Sequence, residues 1–92
     1  MVRAIVLYEQ EPDTGWYEQH VEQCRQVPGA TFRHGRIFGA PMGEPPYRYY
    51  AEFEWQDQDS FKSGVRSDEF MATGKDAMEQ GGKLTVMFAD VG

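Results

Sequence analysis

Hydrophobic and polar positions follow two different periods along this chain, and the switches between them mark its elements. Val2 to Tyr8 (VRAIVLY) is apolar on both alternating faces except at Arg3, as a central strand covered on two sides should be. Pro12 and Asp13 then open a helix, with Asp13 or Thr14 as N-cap. At about 100° per residue, Trp16, Tyr17, His20, Val21, Cys24 and Val27 share one arc, and Glu18, Gln19, Glu22 and Gln26 lie opposite. Val27-Pro28-Gly29 ends this helix, because proline restricts the residue before it and glycine permits a sharp reversal. Residues 30 to 39 predict a second strand. GAPMGEPPY, residues 39 to 47, holds three prolines and two glycines and predicts a connecting loop. In the third strand, YRYYAEFEW, Tyr47, Tyr49, Ala51, Phe53 and Trp55 form one nearly apolar face, while Arg48, Tyr50, Glu52 and Glu54 form an amphipathic one. A second helical region starts at Asp57 or Asp59, breaks near Gly64 to Ser67, and resumes with Ser67 as N-cap. There Phe70, Met71, Gly74, Ala77 and Met78 keep the spacing of a buried helix face. Gly81-Gly82 stops the helix, and KLTVMFADV reads as a last strand, apolar on both sides.

The order is βαββαβ, the split βαβ arrangement of ferredoxin-like α+β domains, with residues 1–92 as a single domain. Right-handed crossovers put both helices on the same face of the four-stranded antiparallel sheet. The first and last strands are nevertheless apolar in both directions, so the other face needs a cover. A second copy packed sheet against sheet about a twofold axis supplies it, and the chain is expected to be a homodimer.

Composition narrows the partners. Net charge is −6, and Lys and Arg are nowhere clustered. Contact with phosphates needs such a cluster, so neither nucleic acid nor an anionic membrane is an expected partner. No apolar run approaches the roughly 18 residues of a membrane span, and the opening VRAIVLY reads as a strand rather than a signal peptide. A lone Cys24 forms no intrachain disulfide, which fits a reducing cytoplasm.

Four stretches carry a resemblance to a known family: VLYEQEPD, HVEQCRQVPG, GAPMGEPPYRYYAEFEW and GGKLTVMFADV. Within them stand His20-Val21 on the first helix, Val27-Pro28-Gly29 at its end, the Gly43 to Tyr47 loop, and Ala51-Glu52 in the third strand. The pattern resembles the EthD-like proteins of the dimeric α+β barrel superfamily. One departure is Glu22, where many relatives place a proline after His-Val. The resemblance implies a ligand cleft between helices and sheet in each subunit, with the helix histidine facing it. It implies no single reaction, because the superfamily hosts many chemistries.

His20 is accordingly the candidate catalytic residue. A neutral imidazole can donate or accept a proton near pH 7, although a core histidine bonded to a tyrosine hydroxyl or a carbonyl would fit the pattern too. Tyr8, Trp16, Tyr17 and Tyr49 are candidate substrate-binding aromatics, with Tyr8 and Tyr49 as the hydroxyls best suited to orient a ligand oxygen. Ala51, small among Tyr49, Phe53 and Trp55, leaves volume unfilled if the odd face of its strand looks towards the helices. Arg36 could hold an acidic ligand, or pair with Glu52 or the partner subunit. Cys24, one turn after His20, is either a thiolate partner to it or a small buried hydrophobe. The spacing of His20 and His34 supports no metal, and no haem or other cofactor is expected.

Two functions remain open on this reading. One is a small cofactor-independent enzyme acting on a cyclic or aromatic metabolite, with His20 as general acid/base in an isomerisation, cyclisation, dehydration or monooxygenase-like reaction. The other is a non-catalytic protein that binds a small hydrophobic or aromatic ligand in the same cleft.

Overall fold

The structure, a computed structural model, describes residues 1–81 and 83–92. Seven elements follow one another: β1 (Val2–Tyr8), α1 (Thr14–Cys24), β2 (Thr31–Arg36), β3 (Tyr49–Trp55), α2 (Gln58–Val65), α3 (Asp68–Glu79) and β4 (Leu84–Asp90). The strands form one antiparallel sheet in the order β2-β3-β1-β4, with β1 and β3 central. This is the expected ferredoxin-like arrangement, its second helix broken into α2 and α3.

Capping fixes where each helix begins. The Asp13 carboxylate accepts from the Trp16 N–H, Asp57 from the Ser60 N–H and Ser67 Oγ from the Phe70 N–H, so each satisfies an otherwise orphaned donor. Gly81 follows the Gln80 cap of α3 with a positive φ of 71°, and Gly29, with φ 72°, makes the turn between α1 and β2. Gly82, expected to share in stopping α3, lies outside the described residues.

Strand parity decides what lies under the helices. Val2, Ala4, Val6 and Tyr8 of β1 stand beside Trp55, Phe53, Ala51 and Tyr49 of β3, and all eight face α1, α2 and α3. The odd face of the third strand is therefore the inner one. Trp55 is the largest fully buried side chain, and its Nε1 donates to the Pro28 carbonyl at 3.0 Å. It lies against Gly64 so closely that a Cβ there would overlap its indole ring.

Three boundaries and faces differ from the sequence reading. β2 stops at Arg36 rather than residue 39, and β3 starts at Tyr49. Between them the chain leaves the sheet as an arm, closed at its root where the Ile37 N–H donates to the Arg48 carbonyl at 3.0 Å. Pro41, Pro45 and Pro46 offer no donor for a ladder, which accounts for the early end. On α3 the inward line is Phe70, Thr73 and Ala77, whereas Met71, Gly74 and Met78 are exposed. The helix turns its Thr73–Ala77 line to α1 and the sheet, and no described element lies over the methionine side.

The face away from the helices is also less uniformly apolar than expected. Ile5, Leu7, Tyr50 and Met87 stand there, but so does an ion-pair quartet from three strands. Arg3 Nε lies 2.6 Å from Glu54 Oε2 and 3.3 Å from Glu52 Oε2, while Arg33 reaches Glu52 and Glu54 at 3.1 Å each. Arg3 in particular holds the Glu54 carboxyl below the usual carboxylate range. The expected Arg36–Glu52 pair does not form, because the two side chains point to opposite faces of the sheet.

Replacing Gly64 with Ala should lower stability by about 1–3 kcal/mol, since the methyl must displace a fully buried indole. Urea unfolding followed by Trp fluorescence measures it, and an unchanged midpoint would contradict the packing described.

Candidate functional site

His20 sits on the inner arc of α1, 4% exposed, where the spacing of Trp16, Tyr17, Val21 and Cys24 had placed it. An imidazole in such surroundings is costly unless its nitrogens find partners. One does: His20 Nδ1 lies 2.8 Å from Asp76 Oδ2, on α3. The other oxygen, Asp76 Oδ1, accepts from Trp16 Nε1 at 3.3 Å. The Trp16 ring stacks on His20 with centroids 4.7 Å apart. One carboxylate therefore holds two α1 side chains in register. A carboxylate only accepts, so Nδ1 carries a proton and Nε2 is the ring nitrogen left free to exchange one. Nε2 makes no hydrogen bond among the described residues.

His20 lines a cavity of about 150 Å³ between the helices and the sheet. Ala51 forms part of the floor, Tyr8, Cys24 and Phe53 contribute walls, and Gly74, Met78 and Val86 stand at the exposed margin. The lining is almost wholly apolar; Thr73 Oγ1, a polar atom within it, donates to the Phe70 carbonyl at 2.6 Å. An apolar hollow of this size takes one benzene-sized ring.

The expected site residues divide into three groups. His20 and Tyr8 share the cavity, and Trp16 backs the imidazole. Tyr17 and Tyr49 instead line a more open cleft of about 410 Å³, together with His34, Glu11, Glu18 and Glu22. There His34 Nδ1 lies 2.9 Å from the Tyr49 hydroxyl, and burial lowers the His34 pKa. Arg36 is exposed at the end of β2 and lines neither space. Burial pushes the Cys24 thiol up to about 12, so it is a small buried hydrophobe and not a thiolate beside His20. Among the described residues no three His, Cys, Asp or Glu side chains converge as metal ligands would.

Asp76 is the residue that sequence reasoning missed. Its one signal is a carboxylate next to Ala77 and three residues after Thr73, on the inward edge of α3. The apolar spacing of Met71 and Met78 pointed to a different face.

Tyr17 carries a second orphan. Its ring packs edge-on against Tyr8, Tyr49 and His34, with centroids 6.0, 5.0 and 5.4 Å away, and its buried hydroxyl finds no partner. Burial pushes the phenols of both Tyr8 and Tyr17 well above their ordinary value of 10.0.

Solved structures place this architecture. An ethyl tert-butyl ether D (EthD) family protein from Bacillus halodurans matches with TM-score 0.82 and 36% identity, over 99% of this chain and 98% of that one. The chain belongs to the EthD family. A dimeric ferredoxin-like protein of unknown function from Jannaschia shares the fold at TM-score 0.70 and 19% identity, covering 98% of both chains. A cofactor-independent oxygenase from Streptomyces nogalater shares it at TM-score 0.63 and 14% identity, over 98% of this chain and 91% of that one. No family model and no curated protein sequence matches. No described helix of this EthD-family chain is long and apolar enough to cross a membrane.

The Tyr17 environment predicts an unusual substitution. Removing an unpartnered buried hydroxyl removes a desolvation cost, so Tyr17→Phe should leave stability unchanged or raise it by about 1 kcal/mol. The Tyr17 phenol is neutral in the fold and its folded pKa exceeds the unfolded one. Its contribution is complete below pH 10 and drains away as pH rises beyond it. Guanidinium midpoints from pH 8 to 11 should fall less steeply in the variant than in the parent chain.

Proposed function

We propose that this EthD-family chain is a small cofactor-independent enzyme acting on a cyclic or aromatic compound, with His20 as the general acid/base. The observation that carries this reading is the His20–Asp76 pair at the wall of an apolar cavity. Asp76 fixes the tautomer and the ring plane, which leaves Nε2 as the group able to take a proton from a bound ring and return it elsewhere. As the proton arrives, the carboxylate 2.8 Å from Nδ1 offsets the charge on the imidazolium. Burial of the imidazole beside a carboxylate that is 30% exposed makes that interaction stronger than it would be between two fully solvated groups. Tyr8 supplies a hydroxyl on the same wall, and its raised pKa keeps it a neutral hydrogen-bond donor. The oxygenase from Streptomyces nogalater supports cofactor-independent chemistry on this fold.

A non-catalytic binding protein is the second reading. The scarcity of free polar groups in the cavity favours it, because a carrier needs shape and apolar area but no proton path.

We propose further that the working form is a homodimer packed through the face bearing Ile5, Leu7, Tyr50 and Met87. The dimeric ferredoxin-like protein from Jannaschia supports this, as does a Cα envelope only 16 Å thick, two layers with one side uncovered. The free Cys24 suits a reducing compartment such as the cytoplasm.

Two measurements follow. Deuterium exchange into a panel of small cyclic ketones and phenols, followed by NMR, reads proton abstraction directly. The parent chain should catalyse exchange into at least one of them, His20→Ala should slow it about 100-fold or more, and Asp76→Asn should slow it and displace its pH profile. Binding without exchange selects the carrier, and a His20→Ala variant that fails to fold makes His20 structural. Sedimentation at micromolar concentration should give twice the mass of one chain; a monodisperse monomer refutes the dimer.

A further inference from the structure

Two strongly exposed apolar features lie at opposite edges of the sheet. At the β2 edge, the arm between β2 and β3 carries Phe38, 93% exposed, and Met42, 88% exposed. At the β4 edge, Met78 and Val86, 76% and 46% exposed, stand at the margin of the His20 cavity. Neither feature has a cover among the described residues, and isolated apolar patches of this kind mark interaction surfaces.

Register places the two features at the same height. Arg36 stands beside Tyr49, Tyr49 beside Tyr8, and Tyr8 beside Leu84, so a single row crosses the sheet from the root of the arm to the start of β4. If two sheets stack about a twofold axis parallel to their strands, β2 of one copy lies over β4 of the other and heights are preserved. The root of one arm then stands over Leu84 of the twin, next to the open margin of its cavity. Residues 38 to 47 form the free part of the arm. Residues 38 to 42 extend about 16 Å at roughly 3.3 Å each, which carries Met42 past the ~10 Å between stacked sheets to the helix side of β4, whereas Phe38, one residue beyond the ladder, reaches the β4 edge itself. Charge agrees with this placement. Arg36 forms no ion pair among the described residues, whereas the last turn of α3 lacks a basic residue and carries Glu79, loosely paired with Lys75 at 4.0 Å, beside the negative end of the helix dipole.

We propose that the arm of a second copy of this chain closes the cavity, seating the partner's Phe38 against Val86 at the β4 edge and the partner's Met42 against Met78. The ligand site is then shared between subunits, and the second copy supplies the side of the hollow that one chain leaves open. This rests on the reading of the cavity as the ligand site.

The test uses the whole chain and reads the arm without any ligand. Met42→Cys and Met78→Cys are made as separate variants, mixed, allowed to exchange subunits, and treated with a short bismaleimide. A cross-linked heterodimer is expected. A control mixture of Met42→Cys with Gln23→Cys, on the exposed face of α1 away from the arm, should give none. Absence of the 42–78 product, or equal yields from both mixtures, overturns the proposal. In a second measurement, Phe38→Ala should remain dimeric and bind toluene, followed by NMR chemical-shift titration, about tenfold more weakly than the parent chain. Unchanged affinity overturns the shared site. If the parent chain does not bind this probe while the 42–78 cross-link forms, the arm is placed correctly and the ligand reading is the one that fails.

Discussion

The carboxylate of Asp76 is the constraint on which the rest of the site depends. It accepts from Trp16 Nε1 and pairs with His20 Nδ1, so one acidic group on α3 neutralises the cost of two polar atoms on the buried face of α1. Without it the imidazole would be an unpaired polar ring in an apolar layer, and nothing would select one tautomer over the other. The same bonds tie α3 to α1 across the sheet. Helix packing and candidate chemistry thus share a single interaction, and a helix shift that loosened one would loosen the other.

The space beside His20 has an equally specific origin. Val6, Ala51 and His34 occupy neighbouring positions in one row across the sheet, and Ala51 is the small member amid Tyr49, Phe53 and Trp55. Protein interiors otherwise close to crystal-like density, so a gap persists only where a short side chain meets neighbours that cannot collapse into it. Here the neighbours are held. Trp55 is fixed by its bond to the Pro28 carbonyl and by its seat against Gly64, and Phe53 packs against Phe32, Phe70 and Trp55. Aromatic rigidity on both sides of Ala51 keeps the hollow open.

Much of this was legible in the residues, for reasons that can be stated. Period-two and period-3.6 patterns gave the strands, the helices, the break at Gly64–Ser67 and the inward direction of His20, because each reports local geometry that burial enforces. Which face of β3 looks inward stayed open in the residues, because a strand covered on both sides can bury either, and the structure turns Tyr49, Ala51, Phe53 and Trp55 to the helices. What the pattern missed involves pairs distant in sequence. Asp76 lies 56 residues from His20, and nothing in the apolar spacing of α3 marks it. The quartet of Arg3, Arg33, Glu52 and Glu54 escaped for the same reason: an isolated Arg in one strand reads as an interruption until the register sets it beside two glutamates. Met71 and Met78 misled because apolar spacing identifies a face that wants cover without saying which chain provides it.

That ambiguity leads to the last step. Two helices joined by right-handed crossovers lie on the same face of the sheet, so a chain of 92 residues arranged this way has an unroofed side whatever its sequence. The quartet does not remove the need for cover; it changes its kind. Glu52 is already nearly buried among its two arginines, with Oε2 lacking a hydrogen bond. Ile5 and Met87 share the Glu52–Arg33 row and Leu7 and Tyr50 stand in the next, so charged and apolar side chains interleave on this face, and a partner that slides by one strand sets apolar side chains against arginines. Charged groups on the open face therefore act on register more than on affinity. A fixed register is what would let an arm leaving one edge meet, at the correct height, the opposite edge of a twin.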